Sequence, residues 1–329
     1  MRAVGVEFAS DANAPRLNVW VNREVIVAAG AMQTPALLQL SGIGERSHLE
    51  SLGVNVVVDL PGVGKNLQEQ TQSAIGWSSE FVENIQSLSG LIAYPDMKAL
   101  FGNADKAAQV AGSIWGGIKQ WAADAAAAGA LVSASAGEAL FNVQADLMIN
   151  KGVGLVELFF NNGYPNGGLG VTLWNLLPFA RGSVRIASAD PFTPLRVETR
   201  AFSTEADKTM QIQGARMTRQ IFKSAPLRNL VTEENQPAAE VPDDDNGGSD
   251  ENWWNYISKS WVNVNHPIAT CSMMLESYGG VVDGNLRVYH TQNLRIVDAS
   301  VLPHQLSAHL SATLYGLAEN AADIIKSGR

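Results

Sequence analysis

Histidine offers the most versatile chemistry near neutral pH, and the sequence contains five: His48, His266, His290, His304 and His309. His48 and His290 read as surface residues, because a half-polar ring is more often outside than fully buried. His266 lies in Asn263-Val264-Asn265-His266-Pro267, followed by the small and apolar run Ile268-Ala269-Thr270-Cys271-Ser272-Met273-Met274. An imidazole in that company tends to stay neutral, which suits a general base. His309 lies in Ser307-Ala308-His309-Leu310-Ser311, where a last helix is expected to begin. Backbone N–H groups and the helix dipole favour negative charge there, so a histidine at that point can share in stabilising an anion. Residue type alone leaves the pair between catalytic and structural roles.

Other chemistries find little support. Pro61-Gly62-Val63-Gly64-Lys65-Asn66 looks like a phosphate loop, but a Walker loop needs a glycine where Asp59 stands. No Gly-x-Gly-x-x-Gly opens a helix after a strand, and Gly-x-Ser-x-Gly is absent, which argues against a hydrolase. The single cysteine, Cys271, can form neither an internal disulfide nor a zinc site, so redox compartment stays open. A net charge of −9 and a pI near 5.1 argue against nucleic acid as a partner. No apolar run approaches membrane-spanning length, and the alanine-rich stretch Ala122 to Ala136 reads as a water-facing helix. No signal peptide precedes the first strand, and Asn-x-Ser/Thr is absent.

The elements that must position these residues fall into three regions. With 329 residues and 46% hydrophobic composition, the chain can bury one large core or two. Residues 1–75 alternate short strands with turns: Val4–Phe8, Leu17–Val21 and Glu24–Ala29, with Asp11–Pro15 turning between the first two. Thr34 and Pro35 then suit the N-cap and first position of a short helix that Ser41-Gly42-Ile43-Gly44 ends. Residues 76–262 combine helical periodicity over Tyr94–Gln120 and Thr204–Lys223 with strands at Leu155–Phe160, Leu169–Leu176 and Ser183–Ala187. The acidic run Asp243-Asp244-Asp245-Asn246 reads as a solvated loop within Gln236–Glu251, and Trp253, Trp254, Tyr256 and Trp261 read as packing aromatics. Residues 263–329 hold an apolar strand ending at Asp298 and a final helix over Ser307 to Lys326. The first and third regions are expected to form one discontinuous domain, with the middle region inserted.

Several of these blocks resemble one family. Gly30-Ala31-Met32-Gln33-Thr34-Pro35-Ala36-Leu37-Leu38-Gln39-Leu40-Ser41-Gly42-Ile43-Gly44 resembles the second signature of the glucose–methanol–choline oxidoreductases. Leu60-Pro61-Gly62-Val63-Gly64-Lys65-Asn66-Leu67-Gln68-Glu69-Gln70 resembles the stretch that follows it. Asn265-His266-Pro267, Gly279-Gly280-Val281-Val282-Asp283 and Val297-Asp298-Ala299-Ser300-Val301-Leu302-Pro303 are similar to the C-terminal blocks. Arg2–Phe8, Glu157-Leu158-Phe159 and Trp174–Gly182 point within it to the glucose oxidase and FAD-dependent glucose dehydrogenase branch.

The resemblance implies a mixed α+β and α/β fold: a partial Rossmann-like FAD-binding domain with an inserted antiparallel-sheet substrate domain packed by helices. It implies FAD as cofactor and hydride transfer from the CH–OH group of an alcohol or sugar, with oxygen or quinone as final acceptor. His266 matches the proton acceptor, His309 its partner, and Glu157 the carboxylate that orients His309. Asp298, Ala299, Leu310 and Ser311 match positions beside the flavin, and Trp174 and Asn265 line the substrate pocket. Relatives are often secreted and a homodimer is compatible with the family. Two departures follow. Glucose-handling relatives carry Arg and Asn where Val262 and Val264 stand here, which weakens the case for glucose. The family's opening strand–GxGxxG–helix unit is not in the sequence, so the chain alone is expected to hold FAD weakly or not at all. The alternative is a non-catalytic member of the family.

Overall fold

The computed structural model describes residues 1–82, 88–244 and 247–328; Asp245 and Asn246 of the acidic run lie outside them. Branched and aromatic residues dominate Val156–Asn162 and Leu169–Asn175, and they pair in a regular antiparallel ladder. These strands form the middle of a six-stranded sheet. Its order runs Glu234–Gln236, Thr71–Trp77, Leu169–Asn175, Val156–Asn162, Leu88–Ala93. Val262–Asn263 pairs along the outer edge of Thr71–Trp77. All these pairings are antiparallel.

Helices cover the sheet. Thr204 caps Glu205–Lys223 by accepting from the Asp207 N–H. The helical stretch expected over 94–120 divides into Met97–Phe101 and Ala104–Ala127, with Gly102 in the left-handed region between them. Ala122 to Ala136 is not one helix: Gly129 adopts φ +71° and Ser133 caps a new helix, Ala134–Asn150. Buried Ile75, Phe141, Leu158, Leu173, Trp253 and Ile257 belong to one core. Trp253 and Tyr256 thus pack as expected, with Trp254 and Trp261 at the core's margin.

The terminal stretches build a second, smaller core around Val27, Leu60, Val282, Ile296 and Ile324. Val25–Val27 and Leu294–Ile296 form a two-stranded parallel pair. Gly5–Phe8 and Leu17–Trp20 form an antiparallel ribbon. Two separate sequence blocks meet closely here: a Cβ on Gly62 would lie 2.1 Å from the Gly279 carbonyl oxygen.

Three further local readings change. The first long helix is Gly30–Leu40, so Thr34 and Pro35 lie inside it rather than at its start. Its N-terminus is capped from a distance: Asp298 Oδ2 accepts from Gly30 N–H (3.0 Å) and from the Thr34 hydroxyl (2.6 Å). Pro35 cannot donate to the carbonyl a turn earlier, and the Thr270 hydroxyl donates to Ala31 O instead, at 2.6 Å. The last helix is Ser311–Lys326, which leaves His309 just ahead of it. His48 is half-buried rather than on the surface, whereas His290 is exposed.

Candidate active site

Residues 68–72 run antiparallel to residues 262–268, and the ladder between them is broken. Val264 N–H donates to Gln70 O, and the next pairing joins Gln68 to Ile268. Between these pairings a single residue, Glu69, therefore opposes three on the other strand, a surplus of two. The bulged segment is Asn265-His266-Pro267, with Asn265 at φ +65°, a conformation asparagine tolerates better than most residues. A bulge of this kind re-aims a side chain out of the ladder, and here it presents His266.

His266 is held at three points. Its N–H donates to Glu69 Oε1 (3.0 Å), its carbonyl accepts from Gln305 Nε2 (2.8 Å), and its Nδ1 meets Gln70 Oε1 (2.8 Å). Burial, then the neighbouring His309, push the His266 pKa below its usual value, so the neutral ring is favoured at neutral pH. Burial raises the Glu69 carboxyl to about 7 against two N–H groups that favour its ionised form.

His309 arrives from the other side. Its loop is tied to the sheet by Ser307, whose hydroxyl donates to Gly154 O at 2.7 Å. His309 Nε2 lies 2.6 Å from Glu157 Oε1. Glu157 is directly opposite Trp174 in the ladder, so one register places both beside this histidine. The Trp174 and His309 rings meet edge to face, with centroids 5.6 Å apart. Phe159 stacks against Trp174 at 6.2 Å. Glu157 is wholly buried, and burial raises its pKa against the pull of His309. Burial, and then the Glu157 carboxylate beside it, raise the pKa of the Tyr94 phenol. The two imidazoles meet edge to face, with centroids 5.7 Å apart and planes at 71°.

The structure thus brings together His266, His309, Glu157 and Trp174. Asn265 is exposed on the bulge itself. Leu310 is buried with Ile268, Ala269 and Leu302, and Ala299 packs against the same cluster behind the bulge. Ser311 opens the last helix and is exposed. Asp298 spends both carboxylate oxygens within the chain: one caps the Gly30–Leu40 helix, the other accepts from Ser300 N–H at 2.8 Å. Glu69, Gln70, Tyr94 and Gln305 carried no signal of their own. Glu69 and Gln70 end the Leu60–Gln70 block, but only the broken ladder shows that they face His266.

No metal-binding cluster and no helix long and apolar enough to cross a membrane occur among the described residues. Comparisons with known proteins bear on the family of the chain. Two family models, both described as GMC oxidoreductase, match residues 1–72 and 178–318. A GMC oxidoreductase family protein, Mala s 12, of Malassezia sympodialis is 35% identical over 98% of this chain and 52% of its own length. A glucose oxidase of Aspergillus carbonarius is 34% identical over 98% of this chain and 52% of its own length. Among solved structures, an FAD-dependent oxidoreductase from Chaetomium thermophilum superposes with a TM-score of 0.87 at 26% identity, covering 99% of this chain and 59% of that one. A fungal aryl-alcohol oxidase gives 0.81 at 30% identity, covering 98% and 57%. The chain spans about half the length of the curated relatives it matches. Blocks scattered along the sequence meet around one pair of imidazoles, and the chain belongs to the GMC oxidoreductase family.

Proposed function

We propose that this site oxidises the CH–OH group of a small alcohol or sugar, with His266 accepting the hydroxyl proton and FAD the hydride. The observation that carries the reading is the adjoining pair of imidazoles, one largely neutral and the other bound to a buried carboxylate. Removing the hydroxyl proton makes hydride departure from the same carbon easier. His309, oriented by Glu157, would hold the substrate oxygen from the opposite side and lend positive charge towards an FAD bound there. FAD supplies the two-electron acceptor that no side chain can provide.

The residues fit such a group. The Ser311–Lys326 helix begins without a side-chain cap, and Ser311, Ala312 and Thr313 are exposed beside His309. Free N–H groups at a helix start favour an anionic or electron-rich partner. Ala299 and Leu310 back the same face, and Asp298 acts one step removed through the helix it caps. The reading assigns residues 1–75 and 263–329 to the cofactor side and 76–262 to the substrate side. With FAD bound there, oxygen or a quinone would be the final electron acceptor.

For substrate, the aromatic wall of Trp174 and Phe159, together with Val262 and Val264, favours a less polar alcohol over glucose. A pocket without partners for several hydroxyls discriminates poorly for sugars. The test is anaerobic bleaching of the flavin in FAD-supplied protein by a panel of aryl alcohols, alkyl alcohols and sugars. Aryl alcohols should bleach it fastest, and His266→Ala should slow bleaching by about 10²–10⁴-fold. Bound flavin that no alcohol reduces would instead identify a non-catalytic member of the family.

A further inference from the structure

We propose that Gln70 is the positioning residue that fixes the tautomer of His266, placing the ring proton on Nδ1 and the basic lone pair on Nε2. The inference rests on the reading of His266 as a base for its catalytic meaning, but its structural content stands by itself.

The assignment follows from a chain of groups that can each play only one part. Gln70 is fully buried, so neither end of its amide can turn to solvent. One end lies 3.0 Å from the Leu176 carbonyl oxygen, which only accepts, so that end is the NH₂. The other end is therefore the amide oxygen, and it lies 2.8 Å from His266 Nδ1. An amide oxygen also only accepts, so Nδ1 carries a proton. A neutral imidazole has one N–H, which leaves Nε2 as the acceptor. His266 Nε2 makes no hydrogen bond among the described residues and is not sealed from solvent.

The neighbours support this role. Glu69 and Gln305 fix the backbone on both sides of the ring, through the His266 N–H and carbonyl. The ring can then neither swing away from Gln70 nor flip without breaking a buried bond. The two histidines are also treated differently. His309 has a carboxylate partner, whereas His266 has a neutral amide. A carboxylate beside His266 would favour the imidazolium and blunt its capacity to take a further proton. An amide sets the direction of the base without charging it in advance.

The experiment is ¹⁵N NMR of histidine-labelled protein across a pH titration, which reads protonation at each ring nitrogen and requires no turnover. The wild-type chain should show a pyrrole-type Nδ1 and a pyridine-type Nε2 for neutral His266. Gln70→Leu removes the acceptor and should move His266 toward the Nε2–H form. Gln70→Glu keeps an acceptor, so it should retain the Nδ1–H form while raising the His266 pKa by about one unit or more. A wild-type ring protonated on Nε2, or an unchanged tautomer in folded Gln70→Leu, overturns the proposal. If Gln70→Leu does not fold, the wild-type spectrum and the Gln70→Glu titration decide. With FAD supplied, Gln70→Leu should lower kcat on the order of 10²-fold with little change in KM, between typical losses for orienting groups and for a wrong tautomer. A shifted tautomer with unchanged turnover would leave Gln70's role standing and refute His266 as the base.

Discussion

The sheet region and the terminal region are built to different standards of closure. In the first, Thr71–Trp77 and Leu169–Asn175 are paired on both edges and covered by the Glu205–Lys223 helix, and Ile75, Leu158, Val171 and Leu173 are wholly buried. In the second, the parallel pair has only two strands, and the ribbon beside it shows Val4, Phe8, Leu17, Val19 and Trp20 to solvent, the last at 73% exposure. An open cavity of about 680 Å³ runs between Met1–Phe8, Leu37, Ile43, Val57 and Phe192. Parallel strands ordinarily need cover on both faces, and two strands alone are marginal. An antiparallel sheet closes through local register and its own helices, whereas a parallel one depends on contacts from far along the chain. The candidate site lies where the two regions meet, with Glu157 and Trp174 from the closed side and His309 from the open side.

Substitutions can break or sharpen this contrast. The largest expected effect is at the junction. Glu157→Gln removes the charge that orients His309 and should cut alcohol-dependent flavin reduction by about 10²–10⁴-fold, read by stopped-flow, with little change in fold. Next is the closed core: Phe141→Ala should destabilise the protein by about 3–5 kcal/mol in denaturant titration, because Phe141 is fully buried.

Acid stability should separate two buried groups by sign. His304 is held down to about 3, first by burial and then by Arg181. Its folded state releases the proton that the unfolded chain keeps, so stability is lost as pH falls from about 6.5 towards 3. Glu69 is the reverse: its pKa of about 7 makes stability fall as pH rises from about 4.5 through 7. Melting curves across this range should show a shallower acid limb in His304→Gln and a flatter neutral limb in Glu69→Gln.

Thr270→Val leaves Ala31 O without its donor and should cost about 1–3 kcal/mol. Smallest of all, Trp20→Ser in the open ribbon should change stability by less than about 0.5 kcal/mol. A loss there as large as at Phe141 would refute the contrast between the regions.

Much of the secondary structure was legible because its signals are local. Alternation and branched residues marked the strands at 156–162 and 169–175, and Thr204 marked a helix start. The start of Gly30–Leu40 was misread because its cap is Asp298, 268 residues away, and no local pattern contains that information. The alanine-rich stretch misled for the opposite reason: high helix propensity masked the turn at Gly129 and the cap at Ser133. In the site, residue types drew attention to His266 and His309, and the family blocks added Glu157 and Trp174. Gln70 passed unnoticed, since a glutamine before a strand has no chemistry until it is seen facing an imidazole.

By itself the sequence determined the family, the presence of two unusual histidines and most strands and helices, since each is written in residues within a turn or a pleat of one another. The tertiary structure alone decided that a carboxylate 152 residues before His309 would meet it, and that two surplus residues would push His266 out of its ladder. Such meetings depend on strand register and on packing between distant segments, where a shift of one residue turns every side chain to the opposite face.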